Sequence, residues 1–373
     1  MRTPFPVATF APIPRPMSTP SLLPEHDRIR AAYPAFQERC YLDTSSMGLM
    51  AESTVHAAQL EHERLMREGS VRFFHWMFGG TTAVARTVAA SISGTEPGTA
   101  LVQNFTVGLA QLAPLLKHRP KVLLIGQDYP TLHAPFALPG FERVVVPPEM
   151  DGTISLDTLR STLERERPQL VAISEVQWLT GFRIDPAAVA ALCRAQGAWS
   201  VVDITQSWCA VPLDVQAAGI DIVGASGYKW PLAGFGNGFL HLSEAVRAEL
   251  KEHHGVDPIA LLNGGHRDPV ALTRLQDALQ RIAAVGPERI AEHVSALCTY
   301  AIDRFDAAGI TVLHGRRADQ RAGILVLQGD EARVKHLEQH GVKVAFRGAG
   351  VRVGIHLYNT RADIDRLVEG WAM

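Results

Sequence analysis

Residues 201–240 have the sequence VVDITQSWCAVPLDVQAAGIDIVGASGYKWPLAGFGNGFL, and this stretch decides the fold. It contains most of two apolar runs, WSVVDI (199–204) and IDIVGAS (220–226), which have the length and composition of buried strands. Asp203 lies at the end of the first run, and Lys229 follows the second run in a Ser-Gly-Tyr-Lys turn. The sequence therefore predicts a carboxylate and an amine near the ends of two strands.

The same alternation extends outward from this stretch. Apolar runs alternate with segments of helical period, such as SLDTLRSTLERE (155–166) and DPAAVAALCRAQG (185–197). The other strand candidates are ALVQ (100–103), KVLLIG (121–126), RVVVP (143–147), QLVAIS (169–174) and GFLHL (238–242). The pattern predicts an α/β fold with a mainly parallel, seven-stranded sheet covered by helices. In such sheets ligands bind beyond the carboxyl ends of the strands, so functional residues are expected in the loops there.

Four segments are predicted along the chain. Residues 1–24 carry seven prolines and almost no charge, which indicates a flexible arm. Residues 25–265 are predicted to form a large α/β domain, whose N-terminal segment contributes to the small domain or to the mouth of the active site. Residues 266–309 contain long connecting helices. Short strands and helices in residues 310–373 predict a small C-terminal α+β domain.

Composition excludes several functional classes. The 373 residues are 47% hydrophobic and carry a formal net charge of −2, with no basic run that would suit nucleic acid or an anionic membrane. A small-molecule partner is expected instead. The four cysteines lack CxxC spacing and are expected to be reduced, and no His, Asp and Glu grouping has metal-ligand spacing. No apolar stretch approaches the roughly 20 residues of a membrane span, and no signal core is present, so a cytoplasmic location is expected.

The Asp203 and Lys229 pair indicates the cofactor. Pyridoxal 5'-phosphate needs a lysine for a Schiff base and a carboxylate that keeps its pyridine nitrogen protonated. The segment NFTVG (104–108) follows a strand and opens a helix, so its N–H groups and the Thr106 hydroxyl are candidates for binding the phosphate. Helix capping by Asn104 is an alternative role for the same segment.

Together with other segments, residues 203–240 resemble the class V aminotransferase family of pyridoxal-phosphate enzymes with fold type I. This family includes cysteine desulfurases, kynureninases and isopenicillin-N epimerase-like proteins. The other matching segments are YLDTSSMGLM (41–50), NFTVGLA (104–110), DYPTLHAP (128–135), SEVQWLTGFRID (174–185), NGGHRDP (263–269) and VRVGIHLYNTRADIDRLVE (351–369). The resemblance spans about residues 38 to 373.

The resemblance implies a role for each matched residue at the cofactor. Lys229 would bind pyridoxal phosphate as a Schiff base and move protons at the substrate Cα, and Asp203 would pair with the pyridine nitrogen. Gln206 would contact the phenolic oxygen, and Tyr129 would stack on the ring. The predicted phosphate ligands are Phe105, Thr106, Ser226 and Tyr228. Without the family context, Ser226 could be a turn residue, Tyr228 a core residue, and Tyr129 part of a simple Tyr-Pro turn.

Three further residues are assigned to the substrate end or to the partner subunit. Arg352 would bind the carboxylate of an α-amino acid through two parallel hydrogen bonds; a surface arginine beside Arg347 is the alternative. Gln177 falls near a polar family position in the active site. His266 lies in a segment that in relatives reaches the phosphate of the partner subunit's cofactor, or else it is a surface loop residue. A homodimer with shared active sites would follow from the first of these roles.

One departure from the family pattern narrows the reaction. Cysteine desulfurases need a mobile cysteine in the loop before the arginine strand, and this chain has no cysteine after Cys298. A persulfide-forming desulfurase is therefore not expected. The predicted function is β-elimination from an amino acid or amino-acid conjugate through a Cα carbanion, with a C–S bond as a candidate. Transamination and epimerisation remain open, because small shifts in the position of Lys229 decide among them.

Overall fold

The structure is a computed structural model that describes Leu23, residues 25–348 and residues 350–372. The flexible arm predicted for residues 1–24 lies outside the described residues, apart from Leu23. In chain order the strands are β1 (Cys40–Tyr41), β2 (Thr99–Val102), β3 (Lys121–Ile125), β4 (Glu142–Val146), β5 (Leu170–Ser174), β6 (Trp199–Asp203), β7 (Ile222–Ser226), β8 (Gly238–Leu242), β9 (Val312–His314), β10 (Ile324–Gln328), β11 (Val342–Lys343), β12 (Ala345–Arg347) and β13 (Gly350–Gly354).

Helices cover the strands. In chain order they are α1 (His26–Ala31), α2 (Glu52–Glu68), α3 (Ser70–His75), α4 (Thr81–Ala90), α5 (Phe105–Leu112), α6 (Pro130–His133), α7 (Leu156–Glu166), α8 (Pro186–Ala195), α9 (Val215–Ala218), α10 (Glu244–His254), α11 (Pro258–Leu262), α12 (Pro269–Val285), α13 (Pro287–Ala307), α14 (Glu331–Gln339) and α15 (Arg361–Ala372). A π-helical turn, Trp76–Gly80, joins α3 to α4. Among the described residues, no helix is both long enough and apolar enough to span a membrane.

The large sheet has seven strands in the order β2-β8-β7-β6-β5-β3-β4. All neighbours are parallel except β8, which is antiparallel to both β2 and β7. Alternate residues of β3 pack on opposite faces, with Val122 and Leu124 in one core cluster and Leu123 and Ile125 in another. The central strands are therefore apolar on both faces, which is why they appear in the sequence as continuous apolar runs. The predicted α/β fold with a mainly parallel seven-stranded sheet is confirmed.

Local capping explains where the covering helices begin. Asp185 precedes α8, and its carboxylate accepts a hydrogen bond from the Ala187 N–H at 2.9 Å, while Pro186 occupies the first helical position. Ser155 caps α7 in the same way by accepting from the Thr158 N–H at 3.2 Å. These signals lie in the sequence itself, so the predicted helix starts agree closely with the observed ones.

A smaller region follows the long helices α12 and α13. Its four-stranded antiparallel sheet has the order β12-β13-β10-β9, and α14 contacts β13 and α15. The N-terminal segment joins this region, because β1 pairs in parallel with β11 and Arg30 forms a bidentate ion pair with Asp363, at 2.7 and 2.9 Å. The N-terminal segment therefore packs against the C-terminal region, and the loop after β1 lies between the two sheets.

Candidate active site

A cavity of about 690 Å³ lies at the carboxyl ends of the parallel strands. The last residues of three strands line it: Ser174 of β5, Asp203 of β6 and Ser226 of β7. Lys229 lines it just after β7, and Thr106 lines it from the first turn of α5. The parallel topology therefore gathers into one cavity residues that are distant in the sequence.

The Lys229 amine is buried between aromatic rings. Its side chain is 6% exposed, and Nζ lies 5.3 Å from the ring centre of Tyr129 and 5.4 Å from that of Tyr228. The amine makes no hydrogen bond or ion pair to the described residues. Burial, followed by the charge of Arg352, lowers the pKa of Lys229 to about 8. At pH 7 roughly a tenth of such an amine is neutral, against less than roughly a thousandth for lysine in water. The amine is therefore available as a nucleophile and base.

Asp203 is the buried carboxylate at the base of the cavity. Its Oδ1 accepts a hydrogen bond from the Thr205 N–H at 2.8 Å. Burial raises the pKa of Asp203 to about 6; the Thr205 hydrogen bonds oppose this shift, and the nearby carboxylate of Asp128 adds to it. Because burial disfavours a lone negative charge, a cationic ring nitrogen is the kind of partner that this carboxylate suits.

The start of α5 forms the opposite end of the site. Asn104 caps this helix, with its side-chain oxygen accepting from the Val107 N–H at 2.9 Å. The Ser226 hydroxyl accepts from the Phe105 N–H at 3.0 Å. The Thr106 N–H and hydroxyl make no hydrogen bond to the described residues, so both remain available to a ligand. Capping by Asn104 uses the Val107 N–H and therefore leaves the Thr106 donors for an anion.

A glycine allows the helix to approach the sheet this closely. A Cβ on Gly224 of β7 would lie 2.8 Å from the Phe105 ring and 2.6 Å from the Phe239 carbonyl oxygen. A larger residue would push the start of α5 away from Ser226. The absence of a side chain at Gly224 therefore allows the start of α5 to lie close to the end of β7.

Gln206 and the two tyrosines line the space between these ends. The Gln206 amide donates to the Ser45 carbonyl at 3.1 Å and accepts from the Trp230 indole N–H at 2.9 Å, which fixes its orientation. Burial raises the pKa of Tyr228 above its usual range. Both phenols flank Lys229. Tyr228 is therefore a neutral hydrogen-bond donor beside the amine at physiological pH.

Arg352 lies behind the cavity on β13, in the centre of the small sheet. One guanidinium nitrogen donates to the Trp178 carbonyl oxygen and the other to the Ser46 hydroxyl, each at 2.8 Å. Its Nε is buried without a hydrogen-bond partner among the described residues. Burial lowers the pKa of Arg352 to about 10, opposed by the nearby carboxylate of Asp43. The guanidinium is thus a buried cation with an unused donor, and its charge acts on Lys229.

Besides Arg352, two further predicted residues lie outside the cavity lining of this chain. The Gln177 amide donates to the Asp128 carboxylate and to the Ser174 carbonyl, each at 3.2 Å, so it faces away from the cavity. Trp178, the next residue, lines the cavity instead. His266 is exposed and meets the Phe73 ring edge-on at 4.8 Å, so any contact with a cofactor would have to be with that of another subunit.

Asp128 is the main site residue that the sequence analysis did not identify. It is buried after β3, and its two oxygens accept from the Tyr129 N–H at 2.6 Å and the Ser174 N–H at 2.8 Å. It therefore fixes Tyr129 and the end of β5 in one arrangement. Its position directly after a predicted strand was a usable signal, because the loops at strand ends are where site residues are expected.

The donor set fits pyridoxal phosphate. The cavity has an unpaired buried amine on Lys229, a buried carboxylate on Asp203, free donors on Thr106, and aromatic rings beside the amine. Lys229 would carry the cofactor, Asp203 would face its ring nitrogen and Thr106 would bind its phosphate.

Sequence comparison places the chain among known proteins. The family described as "Aminotransferase class-V" matches residues 135–367. The "Uncharacterized aminotransferase YcbU" of Bacillus subtilis (strain 168) is 24% identical over 366 residues, covering 93% of this chain and 97% of that protein. A cysteine desulfurase of Escherichia coli (strain K12 / DH10B) is 28% identical over 268 residues, covering 62% of this chain and 64% of that protein.

Solved structures share the fold. The apo cysteine desulfurase of Thermococcus onnurineus NA1 superposes with a TM-score of 0.82 at 17% identity, covering 92% of this chain and 96% of that one. A mutant of C-DES with glycine covalently linked to its PLP cofactor gives a TM-score of 0.81 at 16% identity, covering 92% of this chain and 98% of that one. The match of the family over more than half of the chain, with a cavity that fits the cofactor, leads to one conclusion: this chain belongs to the class V aminotransferase family and is a pyridoxal-phosphate enzyme of fold type I.

Proposed function

We propose that the chain is a β-eliminating lyase that acts on an L-α-amino acid or amino-acid conjugate, with a Cβ–S bond as the candidate for cleavage. The observation that carries this proposal is the state of the thiols. All four cysteines are buried, and none follows Cys298 in the sequence. Because no thiol is accessible to take up sulfur, a sulfur substituent on the substrate Cβ would be released from the enzyme instead of being transferred to the protein.

The residues of the cavity would have different roles in the reaction. Pyridoxal phosphate supplies the electron sink that stabilises negative charge at the substrate Cα. Lys229 would take the proton from that carbon, since a pKa of about 8 leaves part of its amine neutral near pH 7. Asp203 would hold the ring nitrogen protonated. The phenols of Tyr129 and Tyr228 would donate hydrogen bonds to an anionic leaving group, because a phenol hydroxyl is a hydrogen-bond donor and both rings lie beside Lys229.

Arg352 would supply the specificity for an α-carboxylate. Its buried Nε lacks a hydrogen-bond partner among the described residues, which leaves a donor for the substrate. Desolvation makes an unpaired guanidinium costly, and a substrate carboxylate would offset that cost. The Ser46 hydroxyl and the Trp178 carbonyl oxygen each accept from Arg352 at 2.8 Å, so these two residues would hold the guanidinium in one orientation.

We expect Arg352→Ala to raise KM for the amino acid at least tenfold and to change kcat less, because a lost carboxylate contact weakens binding more than proton transfer. Arg347→Ala is the matched control. It removes an equal charge nearby, but Arg347 donates to the Phe346 carbonyl oxygen on the exposed surface. Steady-state kinetics of both variants decide the question, and an unchanged KM in Arg352→Ala would remove this residue from the substrate site.

A product assay separates the three reactions. The holoenzyme is incubated with cysteine conjugates and with simple amino acids, followed by measurement of 2-keto acid with ammonia, of pyridoxamine phosphate, and of substrate chirality. A lyase releases keto acid and ammonia together and leaves the cofactor in its aldehyde form. Accumulation of pyridoxamine phosphate with keto-acid turnover would establish an aminotransferase instead, and inversion without release of either product would establish an epimerase.

The proposed assembly is a homodimer in which the two subunits share their active sites. Its proposed location is the cytoplasm. An exposed aromatic segment supports the dimer, since Phe74 and Phe78 stack on each other at 5.8 Å and are 47% and 75% exposed. Phe73 of the same segment contacts His266. A second copy of the chain covering this segment would bury the rings and bring His266 towards the other subunit's cofactor phosphate.

A further inference from the structure

Three histidines meet on the side of the molecule away from the cavity. His118 follows the turn after α5, and His253 and His254 form the last turn of α10. The His118 ring lies 5.9 Å from the ring of Trp199, the first residue of β6, which places the cluster at the amino ends of the strands. Each of the three side chains offers a ligand atom within 4.8 Å of the others.

A single carbonyl oxygen fixes the protonation of two of these rings. The Leu115 carbonyl oxygen lies 3.0 Å from Nδ1 of His118 and 2.8 Å from Nε2 of His254. A carbonyl oxygen only accepts, so both of these nitrogens carry a proton and donate it. In the neutral rings, the lone pairs are then on Nε2 of His118 and Nδ1 of His254. Donation from the second ring nitrogen to a backbone carbonyl is the usual way in which metal-binding histidines are oriented.

A carboxylate lies against one of the lone pairs. Nε2 of His118 is 3.1 Å from Oε1 of Glu249, and Arg119 binds both carboxylate oxygens at 2.9 Å. The bidentate contact with Arg119 uses Glu249 as a hydrogen-bond acceptor through both of its oxygens. In the neutral ring, two acceptors would face each other with no proton between them. A cation at this point would remove the conflict, as would a second proton on His118.

We propose that His118, His253 and His254 bind a divalent transition-metal ion, for which Zn²⁺ is the best match. Neutral imidazole nitrogens are ligands of Zn²⁺, Cu²⁺ and Ni²⁺, and Zn–N bonds are about 2.0–2.1 Å long, so the three rings would have to rotate towards one another around the ion. The rings of His253 and His254 are exposed, and His118 is half-buried. Water would complete the coordination, because Glu249 contacts His118 but is not among the groups whose ligand atoms lie within 4.8 Å of one another. The ion would join the end of α10 to the turn before β3.

The sequence does not show this site by spacing. His118 belongs to the connection between α5 and β3, whereas the adjacent pair His253 and His254 ends a helix much later in the chain. The buried cysteines do not compete for the ion, since all four are within the core. A second histidine pair provides a matched control: His336 of α14 and His340, which directly follows that helix, have ring centres 4.4 Å apart.

The test uses untagged holoenzyme and ZnCl₂ alone. Calorimetric titration should show one ion per chain, with a rise in the thermal midpoint, and Co²⁺ should give the visible spectrum of a histidine site. His118→Ala and His253→Ala should each weaken Zn²⁺ binding at least tenfold. His336→Ala should leave it unchanged. Circular dichroism verifies that the variants are folded, and the visible absorbance of the cofactor verifies that the distant cavity is intact.

Two results would overturn the proposal. Absence of Zn²⁺ binding by the folded wild-type protein would mean that a second proton on His118 resolves the contact with Glu249. Binding that persists in His118→Ala but disappears in His336→Ala would assign the ion to the other histidine pair.

Discussion

Burial controls the chemistry of Lys229. The amine has no hydrogen-bond partner among the described residues, and its surroundings are two phenol rings and the buried charge of Arg352. Desolvation by burial and the positive charge of Arg352 disfavour the ammonium form, which is why the pKa of Lys229 falls to about 8. The same desolvation that makes the amine reactive must therefore reduce the stability of the cofactor-free protein.

We predict that Lys229→Met stabilises the cofactor-free protein at pH 7. Below about pH 8 the amine is protonated in both the folded and the unfolded states, so the burial penalty is fully present. Between about pH 8 and 10.5 the folded state loses the proton first, and the penalty disappears as the pH rises. The gain should be on the order of 1–3 kcal/mol at pH 7 and should vanish above about pH 10.5. Denaturant unfolding at several pH values measures it, and a gain independent of pH would contradict the assignment.

Side-chain direction in the loops was the part of the site that the sequence did not determine. Asp203 and Lys229 were identifiable because each lies at or just after the end of an apolar strand, and the carboxyl ends of parallel strands lie at the same edge of the sheet. Gln177 and Trp178 are neighbours in an irregular loop, and which of them faces the cavity is decided by the hydrogen bond from Gln177 to Asp128. That contact joins two separate strand ends, so no local pattern encodes it.

At the scale of elements, the loop after β1 connects the lysine turn with the small sheet. The Gly48 N–H donates to the Tyr228 carbonyl oxygen at 2.9 Å, and the Ser45 carbonyl oxygen accepts from Gln206. A Cβ on Gly48 would collide with the Lys229 carbonyl oxygen and lie 2.5 Å from the Leu232 side chain. This position therefore requires glycine because two backbone segments approach each other closely.

Gly48→Ala should displace the lysine turn and weaken cofactor binding at least tenfold. Gly79→Ala is the matched control, because no atom lies within 4 Å of the Cβ that it would add. Titration of the cofactor-free variants with pyridoxal phosphate, monitored by absorbance, gives the two affinities. Equal affinities for both variants would show that the contact between this loop and the lysine turn is unimportant for the cofactor.

Most elements were predictable because their patterns are local, but the division of one run has a non-local cause. The run VKVAFR (342–347) has the composition of a single short strand. It forms two, since β11 pairs with β1 from the N-terminal segment while β12 pairs with β13. One apolar run thus supplies a strand to each of two sheets. The division depends on the pairing of β11 with β1, which is distant in the sequence.

At the scale of the whole molecule, the exposed aromatic segment predicts a dimer. Phe74→Glu should shift the protein towards monomers, because a charge would be buried at the contact. Met150→Glu is the control, since that side chain is fully exposed elsewhere on the surface. Sedimentation velocity of both variants measures the assembly. A dimer that is unaffected by Phe74→Glu would place the interface on another surface.

The attachment of pyridoxal phosphate to Lys229 can be tested by borohydride reduction of the holoenzyme, followed by proteolysis and mass spectrometry. The reduced cofactor remains attached to its lysine in this experiment. We predict one modified peptide, carrying a phosphopyridoxyl group on Lys229, and loss of this peptide and of the visible absorbance in Lys229→Ala. A modification on any other lysine, or a wild-type protein that takes up no cofactor, would contradict this prediction.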